Sequence, residues 1–383
     1  VRENFLVFGS PLIEQAEIDE MAATLRSGWI GSGPKVARFE RDFAAYKGAQ
    51  NVCAVNSCTA ALHLSILSAG IGPGDEVITT PMTFCATVNA IIHSGARPVL
   101  ADVDPETMNL DPTGVTAKIS PRTRAVLPVH FAGRPCDMDA FSDIAQAHDL
   151  KLIEDCAHAI ETEYKGRKAG TFGDFGCFSF YVTKNVITGE GGMVICRDLE
   201  AACRIRTLAL HGMSCDAWKR FGDSGYKHYF VVEPGFKYNM TDMQAALGIH
   251  QLGRVERNHK RRAEIWERYN REFADLPLGL PAPVQPDTRH AFHLYTILVR
   301  ESEAGISRDA FLERMTAMNI GVGVHYQSVA EHPYYQRAFL WTPDQCPNAR
   351  DIGRATVSLP LSAKLTDRDV ADVVEAVRTI IRA

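Results

Sequence analysis

Over the first two thirds of the chain, short apolar runs alternate with amphipathic stretches. The runs "EVITT" (76–80), "RPVLADV" (97–103), "RAVLPVHF" (124–131), "KLIED" (151–155) and "DFGCFSF" (174–180) are rich in β-branched and aromatic residues and predict strands. Between several of them, "CTAALHLSILSAG", "TFCATVNAIIHSG" and "MDAFSDIAQAHDL" carry apolar residues at helical spacing. Strands alternating with helices pair in parallel through right-handed crossovers, which predicts an α/β sheet covered on both faces. Such sheets hold ligands outside the carboxyl ends of their strands.

The texture changes near Thr241. The stretch "TDMQAALGIHQLGRVERNHKRRAEIWERYNREFADL" (241–276) predicts one long helix, ended by the proline-rich "PLGLPAPVQPD". A strand candidate "FHLYTILVR", a helix "SRDAFLERMTAMNI", a loop around "GVHYQSV" and a last helix "TDRDVADVVEAVRTIIRA" follow. The chain of 383 residues exceeds the size at which one core usually stops growing. The expected division is a large α/β domain over 1–250, then a linking helix and a small α+β domain over 251–383.

Composition narrows the function classes. A net charge of -5 gives no global basic field, which argues against nucleic acid as the main partner. No apolar stretch is of signal-peptide or membrane-spanning length. The ten cysteines form no C-x-x-C pair and sit singly in apolar runs, a pattern that fits reduced thiols in the cytoplasm.

The candidate chemistry centres on Lys184 in "SFYVTKNVITGEGG", between a strand-like run and a glycine-rich turn. Upstream, "LIEDCAHA" ends a hydrophobic strand in Glu154 and Asp155, with His158 close behind. Asp155 alone reads as a helix cap, and Lys184 alone as a surface lysine. A buried acid, a strand and then a lysine before a glycine turn suit pyridoxal phosphate, where the acid pairs with the ring nitrogen and the lysine takes the aldehyde. That lysine must be neutral to react, which desolvation promotes. "AVNSCTAAL" (54–62) opens a helix with small and hydroxyl residues, a geometry equally suited to a phosphate or a simple cap. Ser179 could add a hydroxyl, and Phe84 in "PMTFCAT" could stack on the ring or be plain core.

In this order the motifs are recognisable. The chain resembles the nucleotide-sugar aminotransferases, the DegT-like family of fold-type I pyridoxal phosphate enzymes, over nearly its whole length. The resemblance lies in "SGWIGSGPKVARFE", "GDEVITTPMTF", "PVLADVDPETMNLDP", "IEDCAHAIETEYKGRKAGTFGDFGCFSF", "TKNVITGEGG" and "GFKYNMTDMQAALG". The stretches "VHFAGRPCDMD", "LALHGMSCDAW" and "GISRDAF" resemble the branch that aminates C4 of a nucleotide-linked sugar, such as the enzyme forming 4-amino-4-deoxy-arabinose. The resemblance implies Lys184 as Schiff-base lysine and proton shuttle, Asp155 on the ring nitrogen and His158 near the ring's phenolic oxygen. Thr59, Ala60 and Ser179 would hold the phosphate, and Phe84 would stack on the ring. It further implies a homodimer with shared sites, with Asn239 reaching the partner's phosphate, and His325 in the sugar pocket. Lys219, Arg220, Tyr226 and Lys227 could contact a sugar or diphosphate, or form an ordinary solvated loop.

The implied reaction is ping-pong transamination from L-glutamate, releasing 2-oxoglutarate, to a nucleotide-linked keto-sugar. Relatives that replace the lysine by histidine act as dehydratases; Lys184 is retained here. Two readings from other classes stand beside it. One is a catalytically silent cofactor-binding sensor or scaffold. The other is a metal hydrolase using His130, Asp155 and His158, which has no H-E-x-x-H signature and leaves Lys184 unexplained. A nicotinamide enzyme lacks its G-x-G-x-x-G.

Overall fold

The computed structural model describes residues 2–214 and 229–382. Helices α1 (Gln15–Ser27) and α2 (Pro34–Lys47) precede strand β1 (Asn51–Val55). The chain continues through α3 (Cys58–Ser68), β2 (Glu76–Thr79), α4 (Cys85–His93), β3 (Arg97–Leu100), α5 (Pro112–Thr116), β4 (Thr123–Leu127), α6 (Met138–Ala147) and β5 (Lys151–Asp155). Two short strands, β6 (Glu163–Tyr164) and β7 (Arg167–Lys168), lead into β8 (Phe175–Ser179), β9 (Gly192–Cys196) and α7 (Leu199–Ala209). Beyond them lie α8 (Asp242–Gly253), α9 (Val255–Phe273), β10 (Thr288–Arg289), β11 (Tyr295–Leu298), α10 (Glu301–Ala304) and α11 (Arg308–Ala317). The last elements are α12 (Pro333–Phe339), α13 (Pro347–Ala355), β12 (Thr356–Leu359) and α14 (Asp367–Arg382).

Seven strands form one sheet in the order β1-β9-β8-β5-β4-β2-β3. The five from β8 to β3 pair in parallel, and β9 runs antiparallel to both its neighbours. Val77, Ile78, Ala125, Val126 and Leu127 are fully buried, as strands covered on both faces require. Helix α3 explains part of that cover. Its apolar residues run around the whole circumference, and Ala60 to Leu64 are all buried. The fold is the mainly parallel α/β architecture that the alternating pattern predicts.

A second core forms on the β11–β12 pair. Ile265, Trp266, Tyr269 and Phe273 of α9 pack there with Phe311 and Met315 of α11 and Val370, Val373 and Val377 of α14. The stretch 241–276 is two helices, not one. The backbone breaks at Arg254 (φ -107°, ψ 2°), whose guanidinium donates to Glu17 of α1. The break lets α8 bury Ala245, Ile249 and Leu252 on the first core while α9 serves the second.

Glu154 and Asp155 are neighbours on β5, so their side chains leave opposite faces of the sheet. Glu154 is fully buried and accepts from the backbone N–H groups of Gly170, Phe172 and Gly173, each at 2.7 Å. His130 Nδ1 accepts from the Cys136 N–H, so its proton lies on Nε2 and is donated to Glu154 at 3.1 Å. Burial raises the Glu154 carboxyl, but the bonds from His130, Gly173 and Gly170 outweigh it and hold it below its ordinary value. A depressed folded-state pKa stabilises above the unfolded value, and that stabilisation is lost as pH falls through the folded value. Glu154→Gln replaces one accepting oxygen by an N–H that faces a donor, and should therefore cost about 1.5–3 kcal/mol at neutral pH and progressively less in acid. Denaturant unfolding at several pH values measures this; equal stability at pH 7 would remove the network from that role.

Candidate active site

The carboxyl ends of the parallel strands open into a cleft of about 430 Å³. Ser57 and Thr59 from the start of α3, Phe84 at the start of α4, and Asp155 and His158 beyond β5 line it. Ser179 ends β8, Lys184 follows it, and His325 and Tyr326 arrive from the loop after α11. Seven residues expected from the sequence thus meet in one cavity: Thr59, Phe84, Asp155, His158, Ser179, Lys184 and His325. Two others sit apart from its lining. Ala60 is buried behind it, and its N–H donates to the cap hydroxyl of Ser57 at 3.1 Å. Asn239 bridges to Val55 beside β1 and donates from Nδ2 to Ser32 Oγ at 2.7 Å. Lys219, Arg220, Tyr226 and Lys227 lie outside the described residues.

Asp155 is buried and accepts two hydrogen bonds, from the Ala157 N–H at 3.0 Å and from Thr87 Oγ1 at 2.8 Å. Thr87 is in turn paired with Thr83 at 2.7 Å. Burial nevertheless pushes the Asp155 carboxyl above its ordinary value. Such an acid is brought back to its charged form by a nearby cation, which a protonated ring nitrogen supplies. Burial also pushes Lys184 down to about 8, so a substantial neutral fraction exists near physiological pH. Its loop is pinned from the next residue. Asn185 Nδ2 donates to both oxygens of buried Glu161 and to the Ala291 carbonyl, while its Oδ1 accepts from His293.

The cleft's anion end is the first turn of α3, where free backbone N–H groups point outward. Gly192 on β9 lies directly beneath it. A Cβ there would come within 2.5 Å of the Ser57 carbonyl carbon and 2.8 Å of the Cys58 nitrogen, so the glycine is what lets the helix start sit against the sheet. Phe84 is the cap residue of α4 and exposes 60% of its surface to the cleft, a free face for a planar ring. The donor set, a buried acid, a desolvated lysine, an aromatic face and a helix start, fits pyridoxal phosphate.

His325 stacks on Phe8 at 5.4 Å and pairs with Ser358 Oγ at 2.9 Å; burial brings its imidazole down to about 4. His158 contacts Tyr326, whose hydroxyl lies 3.1 Å from Nε2. The three residues of the metal reading do not converge: His130 is engaged with Glu154, Asp155 with Thr87 and His158 with Tyr326. His130, Glu154 and Cys156 do cluster, but the carboxylate is saturated with hydrogen bonds, and both imidazole nitrogens are used.

Thr87, Tyr326, Glu161 and Asn185 escaped sequence reasoning. Thr87 lies in the first turn of α4 and Thr83 just before its cap, so the pairing of their hydroxyls depends on how the chain enters the helix. Tyr326 carried no signal beyond its place next to His325.

Comparison with known proteins agrees with this geometry. The model of the DegT/DnrJ/EryC1/StrS aminotransferase family matches residues 11–378. The chain is 52% identical to the spore coat polysaccharide biosynthesis protein SpsC of Bacillus subtilis, over 100% of this chain and 98% of that protein. The putative sugar aminotransferase Spr1654 from Streptococcus pneumoniae, in its PMP-form, superposes with a TM-score of 0.91 at 31% identity, covering 98% of this chain and 99% of that one. Its PLP-form gives 0.90. The aminotransferase TlmJ from Streptoalloteichus hindustanus gives 0.90 at 34% identity, with 99% of each chain covered. The chain belongs to the DegT/DnrJ/EryC1/StrS aminotransferase family and is a fold-type I sugar aminotransferase that uses pyridoxal phosphate.

Proposed function

We propose that the enzyme moves an amino group from L-glutamate to the C4 keto carbon of a nucleotide-linked sugar, yielding 2-oxoglutarate and a nucleotide-linked amino sugar. The observation that carries the reading is the convergence of Lys184 and Asp155 in one cleft, beside a helix start and an exposed aromatic face. Pyridoxal phosphate, when bound, supplies the aldehyde carbon for amine exchange and a charged ring that withdraws electrons from the reacting carbon. Asp155 holds the proton on the ring nitrogen. Lys184 Nζ takes and returns the proton at the donor's α-carbon, a role matched to its pKa of about 8. Ser57, Thr59 and Ser179 hold the phosphate with Ala60 packed behind, Phe84 covers the ring, and His158 stands beside it.

His325 faces the sugar. The C4 assignment rests on the resemblance of "VHFAGRPCDMD", "LALHGMSCDAW" and "GISRDAF" to sugar 4-aminotransferases. The name of SpsC, a polysaccharide biosynthesis protein, supports an amino sugar destined for a glycan. A panel of nucleotide keto-sugars with glutamate tests the assignment by 2-oxoglutarate release and by the position of the new amine. Amination at C3, or of free sugars, would contradict it.

Residues 1–250 serve in this reading as the cofactor-binding unit, and 251–383 as the linking helix and substrate-side unit. The free cysteines among the described residues fit a cytoplasmic setting. No helix among the described residues is long and apolar enough to cross a membrane. The assembly in this reading is a homodimer with shared sites. Ile18, Leu25, Trp29 and Ile30 expose apolar surface along and beyond α1, and Asn239 Oδ1 is buried with no hydrogen-bond partner among the described residues. Mixing inactive Lys184→Ala and Asn239→Ala subunits should then restore about one quarter of wild-type activity, because half the dimers are hybrids with one intact site each. No recovery from subunits shown to exchange would place Asn239 in its own subunit's site.

A further inference from the structure

We propose that Tyr326 is the hydrogen-bond donor this site offers to the ring oxygen of pyridoxal phosphate, and that His158 is the positioning residue that aims it. The inference rests on the cofactor reading above and deepens it.

The Ala132 N–H donates to His158 Nδ1 at 3.2 Å. A backbone N–H can only donate, so Nδ1 is bare and the neutral imidazole carries its proton on Nε2. That nitrogen lies 3.1 Å from the Tyr326 oxygen, so the imidazole donates and the phenol accepts. A tyrosine hydroxyl has one proton of its own, and this one is turned away from His158. Among the described residues His158 is its hydrogen-bond partner, and Tyr326 lines the cleft with Lys184 and Asp155. Both His158 nitrogens are committed to protein, so the imidazole has no proton left for a ligand.

The pair is held rigidly. The His158 ring lies 16° from parallel to the Tyr326 ring at 6.1 Å and 4.4 Å from His293, and the edge of Phe131 meets both members of the pair. Burial raises the Tyr326 hydroxyl, with Asp155 and Cys85 adding to the shift, so it stays protonated throughout the working range. Burial lowers His158, with Lys184 and His325 adding to the shift, so it stays neutral; these groups and His293 are the charged or titratable neighbours of the pair. On the cofactor, the ring nitrogen goes to Asp155, the phosphate to the start of α3 and the aldehyde carbon to Lys184. The remaining acceptor is the oxygen beside the aldehyde carbon.

Absorbance titration of the cofactor-loaded protein tests this without using activity. A donor to the ring oxygen stabilises the anion left when the lysine-dependent visible chromophore loses its proton, and so lowers the pH midpoint of that band. Tyr326→Phe should raise the midpoint by about one pH unit. His158→Phe should raise it less, because the hydroxyl remains but is no longer aimed. The double variant should match Tyr326→Phe alone, since both act through one proton. An unchanged or lowered midpoint in Tyr326→Phe overturns the inference, whatever His158→Phe does. A wild-type protein with no lysine-dependent band overturns the cofactor reading itself, so the two failures are distinguishable.

Discussion

Lys184→Ala abolishes amino transfer, with a fall in kcat of at least about 10⁴-fold, because the variant loses both the amine that exchanges with substrate and the base that moves the α-proton. The fold survives the change. Lys184's loop is held by Asn185, through Glu161, Ala291 and His293, and not by the lysine amine. Burial makes the folded protein hold the Lys184 proton less tightly than the unfolded chain does. That cost grows as pH falls below 10.5 and is complete below about 8, where the amine is charged in its buried site. Removing the lysine should leave the melting temperature equal or higher. The same shift sets a pH dependence in the wild type. Capture of the aldehyde by the cofactor-free protein speeds up as pH rises toward about 8, then levels off once the amine is neutral. Rates of 2-oxoglutarate release, thermal melts and stopped-flow absorbance measure the three effects. Turnover at the wild-type rate in Lys184→Ala would end the assignment.

Asp155→Asn should lose about three orders of magnitude in kcat, the size expected when one partner of a buried ion pair is removed. An asparagine reproduces the local bonds. Its carbonyl accepts from the Ala157 N–H, and its amide donates to Thr87 Oγ1, which then donates to Thr83. What it lacks is the negative charge that keeps a ring nitrogen protonated. The variant should therefore bind the cofactor and show the lysine-dependent band while turning over poorly. Steady-state kinetics beside the absorption spectrum separates that outcome from simple unfolding. Unchanged kcat would take Asp155 out of its role.

The readable part of this site is the part carried by strand ends. Asp155 and Ser179 terminate apolar runs, Ser57 follows another, and Phe84 opens a helix behind "EVITT"; each lies where a parallel sheet must present residues. The pattern could not separate Glu154 from Asp155, because alternation across the pleat says that they face opposite ways but not which face holds the ligand. Tyr326 reaches His158 from 168 positions away, a pairing with no local period to reveal it. The break at Arg254 was hidden for a related reason. Apolar residues keep helical spacing through both α8 and α9, and only the presence of two separate cores forces the chain to turn. Asn185 carries no signal in the sequence. Its value comes from Glu161 and His293, which only tertiary packing brings to it.

The most direct measurement is the visible spectrum of the purified protein with pyridoxal phosphate, before and after L-glutamate, alongside Lys184→Ala. The account predicts a band in the wild type that is absent from the variant and that glutamate bleaches as 2-oxoglutarate forms. A band of equal strength in Lys184→Ala, or none in either protein, would contradict the placing of Lys184 and Asp155 at the centre of the chemistry.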